Sequence, residues 1–137
     1  MIRVTPDTNV LVSAFFFNDN ERELLRKAIE GRIRFALSNE MLDEIITVLD
    51  EKFHVETNAI MNYVLRLSEV TEIVKPRRIR SVKVRDRGDA KVIECANTGM
   101  SVYIVTGDKD LLSIRRYRRT KIVTARQFLK SSAMFAD

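Results

Sequence analysis

Four acids, Asp7, Glu44, Asp89 and Asp108, are the residues whose type and placement could do chemistry in this chain. Asp7 follows the short strand-like run Ile2–Thr5. Asp108 follows the β-branched run Val102–Val105 through Thr106-Gly107, and Asp110 comes two residues later. In a parallel sheet the segments that leave the strands share one rim, and such folds bind ligands there. Asp89 sits in the first turn of a helix that begins after Asp86. Glu44 sits in the second turn of a helix capped by Ser38. A helix that follows a parallel strand starts near that rim, so all four acids are expected to reach it.

Gathering them is costly. Two full charges roughly 4 Å apart repel by about 4 kcal/mol at an effective dielectric near 20. A divalent cation reverses the sign of that interaction. Mg²⁺ and Mn²⁺ take oxygen ligands and keep positions open for water and phosphate. Neither Cys nor His stands near these acids in the sequence, which favours a hard cation over zinc. Held beside a basic surface, such a cation suits phosphodiester chemistry, because it activates a water and offsets charge on the leaving oxygen. Each acid also has an ordinary reading. Asp7, Asp108 and Asp110 are turn formers, Asp86 and Asp89 suit a helix N-terminus, and Glu44 suits a solvated helix face.

The charge distribution supplies the basic surface. Residues 1–74 hold 8 Lys/Arg against 13 Asp/Glu, and residues 75–137 hold 16 against 6. One cluster contains Arg77, Arg78, Arg80 and Arg87; the other contains Arg115, Arg116, Arg118 and Arg119. These eight arginines are candidates for binding a polyanion, most simply nucleic acid, and a solvated basic face is the alternative. With 137 residues the chain is expected to form one domain, 1–137. A single cysteine excludes an internal disulfide, and Cys95 reads as a small buried apolar residue. No apolar run is long enough to span a membrane and no signal-peptide pattern opens the chain, so a cytoplasmic protein is expected.

The elements that must position these residues alternate. Strands are expected at Ile2–Thr5, Ile33–Leu37, Thr71–Val74, Val102–Val105 and Lys121–Val123. Helices are expected over Glu21–Glu30, from Ser38 through Leu49, over Thr57–Val70, over Arg87–Thr98 and from a capping box at Thr124. Ile29 is assigned to a buried helix face, with Met61 as a further candidate for one, Gly99 to a helix stop, and Lys75–Arg85 to a loop in which Ile79–Val84 is a candidate extended edge. The alternation predicts an α/β fold, a single-domain α/β/α sandwich with a central, mainly parallel sheet.

Four segments resemble the PIN-domain family, and within it the toxin components of toxin–antitoxin pairs. They are PDTNVLVSA (Pro6–Ala14), SNEMLDEI (Ser38–Ile45), DRGDAKVIECA (Asp86–Ala96) and YIVTGDKDLL (Tyr103–Leu112). Their order and spacing match the family across essentially the whole chain. The resemblance implies a Mg²⁺- or Mn²⁺-dependent endoribonuclease with Asp7, Glu44, Asp89 and Asp108 as catalytic and metal-binding residues. It places Asn9, Thr106 and Asp110 behind them as supporting groups, and it implies 5′-phosphate and 3′-hydroxyl product ends. It further implies an RNA substrate, a cognate antitoxin protein and a homodimer as partners. Two departures stand out. Pro6 occupies the place of an apolar strand residue, so the strand should end early or the Asp7 backbone should sit differently. Arg87-Gly88 stands where relatives carry Pro-Asp, which removes one acid from the rim and adds a cation. A non-catalytic RNA- or protein-binding module on the same fold is the alternative. A phosphatase using Asp7 as nucleophile is a further one, though Asn9 occupies the place of its usual second aspartate.

Overall fold

A computed structural model describes residues 1–79 and 87–131. In chain order the elements are β1 (Arg3–Pro6), α1 (Thr8–Phe16), α2 (Asn20–Ile29), β2 (Arg34–Leu37), α3 (Asn39–Thr47), α4 (Thr57–Glu69), β3 (Thr71–Ile73), α5 (Arg87–Thr98), β4 (Tyr103–Val105), α6 (Lys109–Ile114), β5 (Arg116–Tyr117), β6 (Thr120–Val123) and α7 (Ala125–Ser131). A π-helical turn, Val48–Lys52, continues α3. The expected α/β architecture is present: a six-stranded sheet flanked by helices, ordered β3-β2-β1-β4-β6-β5. All pairings are parallel except that of β5 with β6. The expected edge at Ile79–Val84 and the expected cap at Asp86 fall largely outside the described residues. Among those described, no helix is long and apolar enough to cross a membrane.

The strand order fixes where a ligand can sit. From β1 the chain moves outward to β2 and β3, then returns to the other side of β1 as β4. The reversal leaves a crevice between the carboxyl ends of β1 and β4. Asp7 and Asp108 follow those two strands.

Pro6 sits in this crevice without breaking it. It is the last residue of β1 and pairs in register with Val105. The Asp7 N–H donates to the Val105 carbonyl at 2.8 Å, so pairing with β4 runs past the proline. Towards β2 the register ends at Val4↔Phe35. There the alternation begun by the Arg34 N–H on the Ile2 carbonyl would bring an N–H of residue 6 to the Ala36 carbonyl. Proline has none, and the Thr5 hydroxyl donates to that carbonyl instead, at 2.9 Å. The strand thus ends early on one side only.

Helix starts follow the side-chain chemistry. The Ser38 hydroxyl accepts from the Met41 N–H at 3.1 Å and opens α3. At α7, Thr124 and Gln127 bond each other's backbone N–H, at 3.1 and 2.9 Å, as the capping box requires. Two core assignments are corrected. Ile29 is 53% and Met61 46% exposed. In α4 it is Tyr63 that turns inward, where its hydroxyl donates to the Leu11 carbonyl; in α2, Leu24 and Ala28 carry the buried face. Gly99 follows α5, but the left-handed residue there is Met100, at φ 55°. What Gly99 supplies is clearance. A Cβ on it would meet Ala36 Cβ and Val74 Cγ2 at 3.0 Å and the Cys95 carbonyl at 3.1 Å.

Candidate functional site

Asp7 occupies the N-cap position of α1, yet its side chain makes no capping hydrogen bond. Its carboxylate is buried, and two hydroxyls hold it. Thr106 donates to Oδ2 at 2.9 Å and Thr8 to Oδ1 at 3.4 Å. Burial raises the Asp7 carboxyl above its ordinary value. The Thr106 hydrogen bond and the Thr8 backbone oppose that rise, and the charges of Glu44 and Asp108 add to it. A buried acid kept next to two others, and not used as a cap, is not explained by turn chemistry.

The other acids arrive from separate elements. Glu44, on α3, accepts from the Thr8 hydroxyl at 3.0 Å, the shorter of two contacts that share the one Thr8 hydroxyl hydrogen, so one threonine faces two carboxylates. Asp108 caps α6 by accepting from the Asp110 N–H at 2.7 Å, and its own N–H donates to Thr106 Oγ1 at 3.0 Å. Thr106 therefore ties the Asp7 carboxylate to the Asp108 backbone. Asp89 is buried in the first turn of α5. Asp89, Asp108 and Asp110 each offer an oxygen within 4.8 Å of the others.

Asp7, Glu44, Asp89 and Asp108 all line one cavity of about 120 Å³, with Thr8 and Asn9 in its wall. The two ordinary readings of Asp108 and Asp110 hold in part, since one caps a helix and the other supports that cap. The cap uses one Asp108 oxygen and leaves the second for the cavity. The chemistry of the wall is compatible with a hard divalent cation, since it offers carboxylate and hydroxyl oxygens and neither Cys nor His, and among the described residues the acids close enough to share one are Asp89, Asp108 and Asp110.

Two groups escaped the sequence reading. Thr8 bridges Asp7 and Glu44, and its only signal was a hydroxyl directly after the first aspartate. Glu94 is buried on α5 and accepts from Arg87 at 2.8 and 3.1 Å and from the Ile79 N–H at 2.8 Å. Its signal was legible: a lone carboxylate inside Val92-Ile93-Glu94-Cys95-Ala96, seven residues after an arginine and so on the same helix face.

The basic candidates divide between two places. Arg78 and Arg87 lie beside the acidic cavity, where they line a small neighbouring one. The Arg77 N–H donates to Thr98 Oγ1 at 3.0 Å, which holds residue 77 against the far end of α5. Arg80 is outside the described residues. Arg115 and Arg116 lead into the β5–β6 hairpin. Arg118 and Arg119 precede β6 at the amino rim of the sheet, opposite the acids, and line a cavity of about 400 Å³ with Met100 and Val102. Cys95 is fully buried, and burial pushes its thiol up to about 12, so it behaves as the expected apolar filler.

A PIN-domain family model matches residues 3–110. The chain belongs to the PIN-domain family. It is also 30% identical to an uncharacterized protein of Methanocaldococcus jannaschii over 147 aligned positions, covering 98% of this chain and 94% of that protein. PIN domains are in general nucleases, and the acidic cluster here is compatible with a metal site of that class. Asp7, Glu44, Asp89 and Asp108 all lie within the matched residues.

Proposed function

We propose that this PIN domain is a Mg²⁺- or Mn²⁺-dependent endoribonuclease and the toxin of a toxin–antitoxin pair. One observation carries the nuclease reading: four acids from four separate elements line one cavity at the switch point of the sheet. Asp7, Glu44, Asp89 and Asp108 would hold the cation. Bound there, it would supply Lewis-acid activation of water and charge compensation at phosphorus.

The chain's own residues set the conditions for that chemistry. Burial keeps Asp7 short of solvent, which strengthens its attraction for a cation. Thr8 and Thr106 fix the Asp7 oxygens without adding charge, and second-sphere hydroxyls of this kind orient a ligand. Thr8 also keeps Glu44 turned towards Asp7. Asn9 stands in the cavity wall, where its amide can meet a substrate oxygen.

The toxin role, the cognate antitoxin, the homodimer and a cytoplasmic location rest on the resemblance to PIN toxins. The test of the enzyme is cleavage of end-labelled single-stranded and hairpin RNA in Mg²⁺, Mn²⁺ or EDTA. Cleavage is expected with either metal, absent in EDTA, and lost in Asp89→Asn and Asp7→Asn. Cleavage that survives both substitutions would sink the assignment. Growth arrest on induced expression, absent for Asp7→Asn, is expected of a toxin. Well-folded, metal-loaded protein that leaves varied RNAs intact would favour the non-catalytic binding module.

A further inference from the structure

The departure at Arg87-Gly88 has a structural counterpart. Arg87 opens α5, and its two terminal nitrogens straddle the Glu94 carboxylate at 2.8 and 3.1 Å. The Glu94 side chain is 3% exposed and that of Arg87 is 46% exposed. The pair therefore has a buried anchor and an open face. Such a two-point fork fixes a guanidinium far better than a single contact does.

The same carboxylate holds the preceding segment. The Ile79 N–H donates to Glu94, and the Arg77 N–H donates to Thr98 one turn further along α5. Residues 77–79 are thereby laid along the helix, and exposed Arg78 is brought beside Arg87. Burial works against ionising Glu94, but the hydrogen bonds from Arg87 and Ile79 and the charges of Arg87 and Arg78 outweigh it and hold the carboxyl below its ordinary value.

Arg78, Arg87 and Lys91 line a cavity of about 120 Å³. A water needs roughly 10–15 Å³ by the same measure, so a phosphate group fits. This cavity shares Ser38, Glu40 and Lys91 with the acidic one, so the two adjoin. Lys91 pairs with Glu40, and both side chains are well exposed, at 39% and 63%. An ion pair that open is weak and exchanges readily. Lys91 can thus leave Glu40 for an arriving anion, while Arg87 is held in place from behind.

We infer that Arg78, Arg87 and Lys91 form a binding subsite for a nucleic-acid backbone phosphate next to the acidic cavity, with Glu94 as the residue that positions Arg87. The inference rests on the nuclease reading of the neighbouring cavity. An acidic cavity repels a polyanion, and a fixed cationic subsite at its edge offsets that repulsion and sets where the strand enters.

Binding without metal separates the subsite from the catalysis. A fluorescein-labelled single-stranded RNA 12-mer is titrated with full-length protein in EDTA at several KCl concentrations. Each lost phosphate contact on a single strand lowers the slope of log K against log salt by about 0.7. Arg78→Ala is expected to lower the slope by about that much, as is the double variant R87M/E94M, which removes both partners of the buried pair. Lys27→Ala, on α2, should leave it unchanged. Glu94→Gln gives the sharper test. It removes a negative charge, which by charge alone would tighten RNA binding; loss of a positioned Arg87 would instead weaken it about 3- to 10-fold. Slopes equal to wild type in Arg78→Ala and the double variant, or tighter binding by folded Glu94→Gln, would overturn the subsite. Metal-dependent cleavage by the wild type is scored separately, so a failed subsite and a failed nuclease are told apart.

Discussion

Asp7 is the residue on which the site turns, and its environment makes a testable demand. Burial and two neighbouring carboxylates raise its pKa from the ordinary 3.8. An acid raised in the folded state favours folding in its neutral form. That contribution is complete below 3.8 and is lost as pH climbs through the higher folded value. At neutral pH the metal-free protein therefore carries the cost of an ionised, buried Asp7. Asp7→Asn should remove it. In EDTA at pH 7 the variant is expected to be more stable than wild type by about 1 kcal/mol, the ordinary scale of a point substitution. The advantage should shrink to nothing below pH 3.8, where Asp7 is neutral in both states. Urea denaturation at a series of pH values measures it. A variant less stable than wild type at pH 7 would mean that the Thr106 and Thr8 hydrogen bonds to the carboxylate outweigh its desolvation. Asp7, Asp89 and Asp108 were legible in the sequence because each follows a strand or opens a helix, whereas Glu44 lies inside α3 and Glu40, which also lines the cavity, was not singled out. Thr8 was not legible, since its role depends on Asp7 and Glu44, which are far apart in the chain and meet only in the fold.

At the scale of elements, strand and helix alternation was readable wherever apolar periodicity ran for a full element. α6 and β5 were missed for physical reasons. α6 has six residues, too few for periodicity, and β5 has two. The hairpin after β5 gives no glycine or asparagine signal, because Arg118 itself takes the positive-φ conformation there, at 53°. Gly99 taught the opposite lesson. A glycine at the end of a helix suggests a left-handed stop, but here it lets α5 lie close on β2. Gly99→Ala would force a Cβ to within 3.0 Å of Ala36 and Val74 and 3.1 Å of the Cys95 carbonyl. Since two of these neighbours are core side chains and the third is backbone, little can give way. A loss of roughly 1–3 kcal/mol is expected, read as a lower urea midpoint with an unchanged slope. A midpoint equal to wild type would show that α5 shifts without cost. Because α5 carries Asp89, the same shift would then appear as weaker metal binding.

At the scale of the molecule, the site is a junction. Asp7, Glu44, Asp89 and Asp108 lie on segments spread over a hundred residues of chain, so a cation held by all four ties distant parts of the fold together. Such a cation would bind the folded state, since the unfolded chain has no preformed site. Stability should therefore rise with metal by mass action, by about 2.7 kcal/mol when free metal is a hundredfold above Kd. For a domain of this size roughly 3–5 °C of melting temperature corresponds to 1 kcal/mol, so Mn²⁺ should raise Tm by about 8–13 °C over EDTA. The cavity also says how variants should behave. Asp89→Asn removes a ligand and a repulsive charge together. It should abolish most of the shift while leaving the metal-free Tm equal to or above that of wild type. A surface that gathers cations through its overall charge would do neither, because this chain is net positive, +5, and one neutralised acid among 19 would barely alter a diffuse field. Scanning calorimetry with and without Mn²⁺ decides between them. An unchanged Tm in wild type would count against the metal site itself, and an equal shift in both proteins would place the cation somewhere other than beside Asp89.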